Sequence, residues 1–369
     1  MQKQPYEVIL FCGDRCPLAR SHNRGLRCAQ RRTVSRRQPS NGWMLYKRRS
    51  RYLIGPFLMS TDENLHVVLG TGPLGQAVAR ALHTRDHRVR MVNRNGTGDV
   101  PTDVDRLAAD VTDPNQARRA CSGAAVVYHC MATAYTDWPE TLPPLMQGAI
   151  NGAAAAGARL VYGDNLYMYG PPDGPLTEDL PYAATTRKGQ VRAQVAETLM
   201  TAHRKGEVAV VIGRGSDFYG PGVTDSKMGD MVFRRIVDGK SARVLGDPDQ
   251  PHTYTYIDDF GRALVTLGEE DIALGETWHV PSAETVTTQQ FVEMIFEEAD
   301  QPASISTAPS WVIRAMGWFN PTMREVAEML YEFEEAFIVD HSKYEAAFGA
   351  RVTPLREGIR QTVEWYRRH

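Results

Sequence analysis

The chain is poor in cysteine, in long apolar runs and, over its first 58 residues, in acidic groups. Five cysteines occur in 369 residues, and three of them, Cys12, Cys16 and Cys28, fall in the N-terminal stretch. The remainder keeps only Cys121 and Cys130, which excludes a disulfide-built secreted scaffold and suits a reducing cytoplasm. Cys12 and Cys16 have C-x3-C spacing, but no downstream His or Cys pair completes a zinc site, so no metal is expected. No apolar run approaches the roughly 18 residues that a membrane span needs, so no membrane partner is expected. The Asn95-Gly96-Thr97 triplet should then carry no glycan. There is no internal repeat, and no low-complexity segment beyond Ala153-Ala154-Ala155-Ala156.

The shortage of acid is local. Residues 1–58 hold 13 Lys and Arg against 2 acidic residues, Glu7 and Asp14, a net of +11, whereas the rest holds 29 against 42, a net of −13. The basic piece carries Arg31-Arg32, Arg36-Arg37 and Lys47-Arg48-Arg49 and shows no period of 2 or 3.6. It reads as a disordered or non-native extension ahead of a fold that starts near Met59. A nucleic-acid-binding or targeting arm is the competing reading, and it depends wholly on this segment. A small molecule, and not nucleic acid, is the expected partner.

What is present begins at Leu65-His66-Val67-Val68-Leu69, an apolar run that ends in Gly70-Thr71-Gly72-Pro73-Leu74-Gly75 and passes at once into an alanine-rich helical pattern. Strand, tight turn and helix in that order make a dinucleotide site. Gly70 permits the turn, Gly72 lets backbone approach a pyrophosphate, and Gly75 lets helix pack on strand. Pro73 suits the first helical position, and the helix end that starts there faces the phosphates. A second strand, residues 87–92, ends in Asn93-Arg94, about 20 residues after the glycines. An acidic residue at that place holds the ribose of NAD, and an Arg accommodates the 2′-phosphate of NADP, so NADP(H) is favoured over NAD(H).

Further strands are predicted at 106–109, 124–129, 159–162 and 208–214, with helices over 115–121, 145–156 and 186–203 between them. Continuous apolar strands alternating with helices predict an α/β fold with a doubly wound parallel sheet over residues 59–215. Beyond Gly220-Pro221-Gly222 the alternation loosens. Residues 216–369 read mainly as a smaller substrate-binding lobe, with 252–285 returning to the core. A capped amphipathic helix is predicted over 287–298, and Thr353-Pro354-Leu355 predicts another, with Thr353 as its N-cap and Pro354 at N1.

From about residue 64 onward these landmarks resemble an extended short-chain dehydrogenase/reductase of the NAD-dependent epimerase/dehydratase type, whose sheet is the Rossmann fold. The resemblance rests on Gly70, Gly72 and Gly75; on Asp110-Val111, which it places against the adenine; and on Tyr169-Gly170, the family's V-Y-G. Glu178 and Pro181 match its E-x-x-P, Asp217-Phe218-Tyr219-Gly220-Pro221 its N-V-Y-G-P, and Tyr256-Ile257-Asp258-Asp259 its V-D-D. It implies an oxidoreductase or epimerase acting on a sugar-nucleotide or small carbonyl compound. Relatives often pair as homodimers, although no stretch here identifies an interface.

The family's catalytic set is altered. Its Ser or Thr stands four residues before the Tyr of V-Y-G, and here that place is Asn165. Its Tyr-x-x-x-Lys is missing. Counting from Pro181 puts Lys188 at the Tyr place and Arg192 at the Lys place, whereas keeping Tyr182 as the Tyr leaves Thr186 where Lys should be. Lys188 and Arg192 lie i, i+4 on a predicted helix, and Arg192 is expected to depress the Lys188 pKa. The expected site therefore comprises Asn165, Tyr169, Lys188 and Arg192 for chemistry, with Gly70, Gly72, Pro73, Leu74, Gly75, Asn93, Arg94, Asp110 and Val111 on the cofactor. Asp217, His252 and Tyr254 are expected toward the substrate. A dinucleotide-binding sensor without turnover is the alternative; the missing Tyr-x-x-x-Lys favours it, the retained landmarks favour the enzyme, and the enzyme is preferred.

Overall fold

Leu65–Leu69 is buried at every position and becomes β1, the middle of a parallel sheet. The computed structural model describes residues 64–98 and 104–369; the basic extension over 1–58 lies outside them. The elements that follow β1 alternate as expected: α1 (Pro73–His83), β2 (Arg88–Asn93), β3 (Asp105–Ala108), α2 (Pro114–Cys121), β4 (Val126–His129), α3 (Trp138–Ala156), β5 (Arg159–Asp164), α4 (Arg187–Arg204) and β6 (Ala209–Arg214). Shorter pieces come next: β7 (Phe218–Tyr219), α5 (Arg235–Val237), β8 (Ala242–Leu245), β9 (Pro251–His252), β10 (Thr255–Tyr256) and α6 (Ile257–Glu269). The chain then forms β11 (Thr277–His279), β12 (Val286–Thr287), α7 (Thr288–Ala299), β13 (Ile305–Ala308), α8 (Ser310–Met316) and α9 (Pro321–Glu328). It closes with α10 (Tyr331–Glu334), α11 (Ser342–Phe348) and α12 (Leu355–Arg368).

Seven strands pair in the order β11-β6-β5-β4-β1-β2-β3, all parallel. The order reverses between β1 and β4, where Leu69 lies beside His129, so a crevice opens there at the carboxyl ends of the strands. Residues 257–279 come back to this sheet, α6 against α1 and β11 beside β6. A separate core, with Tyr219, Phe233, Tyr254, Phe291 and Tyr366, forms under α7 and α12. Cys121 and Cys130 are free and buried. Among the described residues no helix is long and apolar enough to cross a membrane, and no cluster of His, Cys, Asp and Glu is arranged to hold a metal ion.

Two helix starts differ from expectation. α3 begins at Trp138, well ahead of the expected residue 145, although Pro143 and Pro144 lie inside it. Trp138, Leu142, Met146 and Ile150 recur at i, i+4 and are buried on one face, and that burial outweighs the hydrogen bonds the prolines remove. α12 begins at Leu355 with Pro354 as its cap. Thr353 does not cap it, because its N–H and hydroxyl both donate to Asp259, at 2.8 and 2.9 Å.

α7 starts as the sequence requires, with Thr287 accepting from the Gln290 N–H and the Gln290 side chain accepting from the Thr287 N–H. Thr287→Ala is expected to lower unfolding stability by about 0.5–2 kcal/mol, read as a shift in the urea midpoint without a change in slope; an unchanged midpoint would show that packing alone holds this helix end.

Candidate functional site

The crevice at the sheet reversal is floored by the glycine turn. Gly70 adopts φ +111°, and a Cβ on it would lie 2.7 Å from the Cys130 carbonyl oxygen, so the turn presses on the end of β4. Gly72 is extended, and a Cβ there would meet nothing within 4 Å. That open face fits the approach of a bound pyrophosphate. α1 has Pro73 at its start and no side-chain cap, so the N–H groups of its first turn, those of Leu74 and Gly75 among them, point out of the helix end. The residues present thus fit a dinucleotide.

The loop after β2 leans on this turn. Asn93 was expected at the ribose, but its amide donates to Thr71 Oγ1 at 2.7 Å and to the Thr97 carbonyl, while its oxygen accepts from the N–H groups of Asn95 and Thr97. Both amide hydrogens are thereby taken up in shaping the loop, which is a correction to its expected role. Arg94 is exposed beside it. Asp110 accepts from the hydroxyl and the N–H of Thr112, which hold its carboxyl below the usual range against partial burial, and Arg94 adds to that pull. Arg94 is thus close enough to Asp110 to act on its charge, and Val111 beside it is buried in the core.

The expected substrate and tyrosine positions are corrected by burial. Tyr169 is held in a closed network: its hydroxyl accepts from Arg214 Nη1 at 2.6 Å and bonds His279 Nε2 at 2.9 Å. Burial pushes that hydroxyl up to about 12 against the pull of Arg214, so it stays protonated at neutral pH. Tyr182, the other candidate tyrosine, accepts from Arg214 Nη2 at 2.6 Å. Tyr254 is buried with its hydroxyl on Thr288 Oγ1, 2.9 Å away, and its ring stacked on Phe291. His252 is buried between the rings of Phe333 and Phe337, with Nδ1 on the Glu332 carbonyl and Nε2 3.2 Å from Asp217. These two residues are packed core and not pocket wall. Burial pushes Asp217 up, but Lys227 and His252 outweigh it and keep the carboxyl below its ordinary value.

Asn165 follows β5 as a half-buried turn residue, its oxygen accepting from the Tyr167 N–H at 3.2 Å. Lys188 and Arg192 do share the inner face of α4, and both are buried. Arg192 Nη1 donates to Tyr162 OH at 2.5 Å and to Asp164 at 3.0 Å, and its guanidinium lies 4.1 Å from the centre of the Trp138 ring. Lys188 Nζ sits 4.2 Å over the Tyr135 ring and forms an ion pair with Glu325 of α9. Burial pushes its ammonium down to about 8; Glu328 opposes this, and Arg187 and Lys227 add to it. Arg192, expected to supply that repulsion, is neutralised by Asp164 instead.

Sequence reasoning missed Asp164, Arg214, Tyr135, Glu325 and Glu328. Asp164 and Arg214 end β5 and β6, so the rule that ligands face the carboxyl ends of strands could have found them. Glu325 and Glu328 are separated from Lys188 by well over a hundred residues, and nothing local marks them.

The model of the NAD dependent epimerase/dehydratase family matches residues 67–280. A dTDP-glucose 4,6-dehydratase of Actinoplanes sp. is 27% identical over 195 residues, 52% of this chain and 53% of that protein. A 2-alkyl-3-oxoalkanoate reductase of Stenotrophomonas maltophilia is 26% identical over 256 residues, 63% of this chain and 74% of the reductase. The chain spans about half the length of the dTDP-glucose 4,6-dehydratases it matches. Among solved structures, UDP-glucose 4-epimerase from Thermotoga maritima superposes with TM-score 0.69 at 17% identity, covering 82% of this chain and 99% of the epimerase. A dTDP-glucose 4,6-dehydratase double mutant from Streptomyces venezuelae, solved with NAD bound, gives TM-score 0.68 at 20% identity, covering 82% and 96%. At such identities the likeness is one of fold.

Asp164 sits between two buried guanidiniums, Arg192 at 3.0 Å and Arg214 at 3.6 Å. Asp164→Ala leaves both charges uncompensated and is expected to cost about 3–5 kcal/mol of unfolding free energy, measured by urea denaturation. A loss under about 1 kcal/mol would mean that the tyrosines around the two arginines suffice without it.

Proposed function

This chain belongs to the NAD-dependent epimerase/dehydratase family, and from that premise we propose that it is an NADP(H)-dependent oxidoreductase or epimerase acting on a sugar-nucleotide, with Lys188 as its acid/base group. The observation that carries the reading is the state of Lys188: a buried amine at the start of α4, held over the Tyr135 ring, with its pKa down to about 8. A lysine in that range gives a proton as the ammonium and accepts one as the amine near neutral pH. A protein that only sensed the dinucleotide would have no use for such a group.

The cofactor, when bound, supplies or accepts hydride. The chain's own residues do the rest. The N–H groups at the start of α1 receive the pyrophosphate at the open face of Gly72, and Asp110 and Val111 line the adenine side. Arg94 takes the 2′-phosphate. Lys188 takes the proton from a substrate hydroxyl during oxidation, or gives it to a carbonyl oxygen during reduction, and the Asn165 amide donates to the same oxygen. Arg192, tied to Asp164, fixes the face of α4 that carries Lys188. The epimerase and dehydratase relatives support a sugar-nucleotide, and the reductase relative supports a carbonyl compound as the next class to try.

Fluorescence titration is expected to show NADPH binding more tightly than NADH, with Arg94→Ala narrowing the gap by about 1–3 kcal/mol. Equal affinities in the parent protein would end the NADP assignment. Lys188→Met is expected to abolish formation of reduced cofactor from dTDP-glucose or UDP-glucose while leaving cofactor affinity unchanged. In the parent, oxidation should rise with pH through about 8 as the amine deprotonates, and reduction should fall over the same range. Full activity in Lys188→Met would remove Lys188 from the chemistry.

A further inference from the structure

An acid/base group has to recover or discard a proton in every cycle, and Lys188, with only 1% of its surface exposed, cannot do so through bulk water. The neighbours of its ammonium are few. Arg187 lies on its own helix, Lys227 in the segment after β7, the Tyr135 ring below it, and Glu325 and Glu328 on α9. Arg192, one turn along α4, is engaged by Asp164. The two carboxylates are therefore the groups in reach that can accept a proton from it.

Their placement leads outward. Glu325 is paired directly with Lys188 and keeps 14% of its side chain exposed. Glu328 stands three residues on, on the same side of α9. Its Oε2 is buried with no hydrogen-bond partner, and the residue also lines a groove of about 520 Å³ between α8 and α9, together with Arg314, Trp318 and Arg324. Trp318 is 81% exposed, so the groove lies at the surface.

We propose that Glu325 passes protons between Lys188 and solvent, with Glu328 as the outer member of the path; this rests on the reading of Lys188 as the acid/base group. During oxidation the substrate O–H bond breaks and its proton joins the Lys188 amine. The resulting ammonium gives a proton to the Glu325 carboxylate, and Glu325 releases it to water in the groove by way of Glu328. Reduction runs the same transfers backward, drawing one proton from solvent for each one delivered to the substrate oxygen. Glu325 acts through Lys188 and is a positioning and relay residue; it does not touch substrate.

The first test needs no turnover. The chemical shift of the Lys188 side-chain carbon in carbon-13-lysine-labelled full-length protein, assigned by loss of the peak in Lys188→Met and followed across a pH series, gives the midpoint at which the amine titrates. Glu325→Gln removes the paired carboxylate and is expected to lower that midpoint by about 1–3 pH units, with a smaller shift for Glu328→Gln. The second test follows oxidation of dTDP-glucose with NADP. Glu325→Gln should slow it at least about tenfold, formate should restore part of the rate by serving as the missing carboxylate, and Glu325→Asp should keep most of the activity. An unshifted midpoint overturns the pairing, and a shifted midpoint with no formate rescue overturns the relay. If Lys188→Met is inactive while Glu325→Gln matches the parent, the relay alone falls; if Lys188→Met is fully active, the acid/base reading falls and takes the relay with it.

Discussion

One buried carboxylate governs the geometry of the site. Asp164, at the last position of β5, is closed off from solvent and stands between Arg192 from α4 and Arg214 from β6. Charges this deep persist only when each has a partner and its remaining donors are bound. Here tyrosines take most of the remaining donors: Tyr162 takes one from Arg192, and Tyr169 and Tyr182 take two from Arg214, while the Nε of each arginine is buried without a hydrogen bond. His279 finishes the network. Its Nδ1 bonds the Asp340 carbonyl at 2.9 Å, and burial keeps the ring neutral by pushing its pKa down to about 3, so Nε2 accepts from the Tyr169 hydroxyl. The carboxyl ends of β5, β6 and β11 are thus held to α4 through Asp164, its two arginines and the tyrosines around them.

That network decides what the first turn of α4 can present. Thr186 caps the helix by accepting from the Gly189 N–H at 3.2 Å, and Arg192 fixes its rotation one turn further on. Lys188 is left pointing at the Tyr135 ring and at α9, where no arginine or tyrosine of the Asp164 network reaches it. Tyr169, expected in the catalytic set, is held inside the network.

The C-terminal part reaches the site from two directions. Lys227 pairs with the buried Glu332 at 3.0 Å and lies over the Phe333 ring, and burial pushes the Glu332 carboxyl up even though Lys227 opposes it. Asp217 and His252 stand next to this pair and join it to the aromatic core under α7. α9 comes from the other side and lays its carboxylates against Lys188. The elements after β6 thus bring charged groups up to Lys188, while the sheet supplies the glycine turn and the frame.

The strand and helix periodicities and the glycine turn were legible because each depends on neighbours in sequence: an apolar strand, a turn that tolerates φ +111° at Gly70, and a helix with Pro73 at its start. The same local logic located the cap of α7. It failed at α3, where burial of Trp138 and Leu142 overrides two prolines, and at Thr353, whose cap function yields to a tertiary bond with Asp259. It also failed to separate Tyr169, His252 and Tyr254 from true pocket residues, since a buried polar side chain and a catalytic one look alike in sequence. The sequence by itself determined the order of the elements and the place of the dinucleotide turn, because hydrophobic period and backbone freedom act over a few residues. Only the tertiary structure decided the partners of Lys188, because ionisation in a buried site is set by burial and by charges that the fold brings up, here Glu325 and Glu328 on α9 and Lys227 after β7.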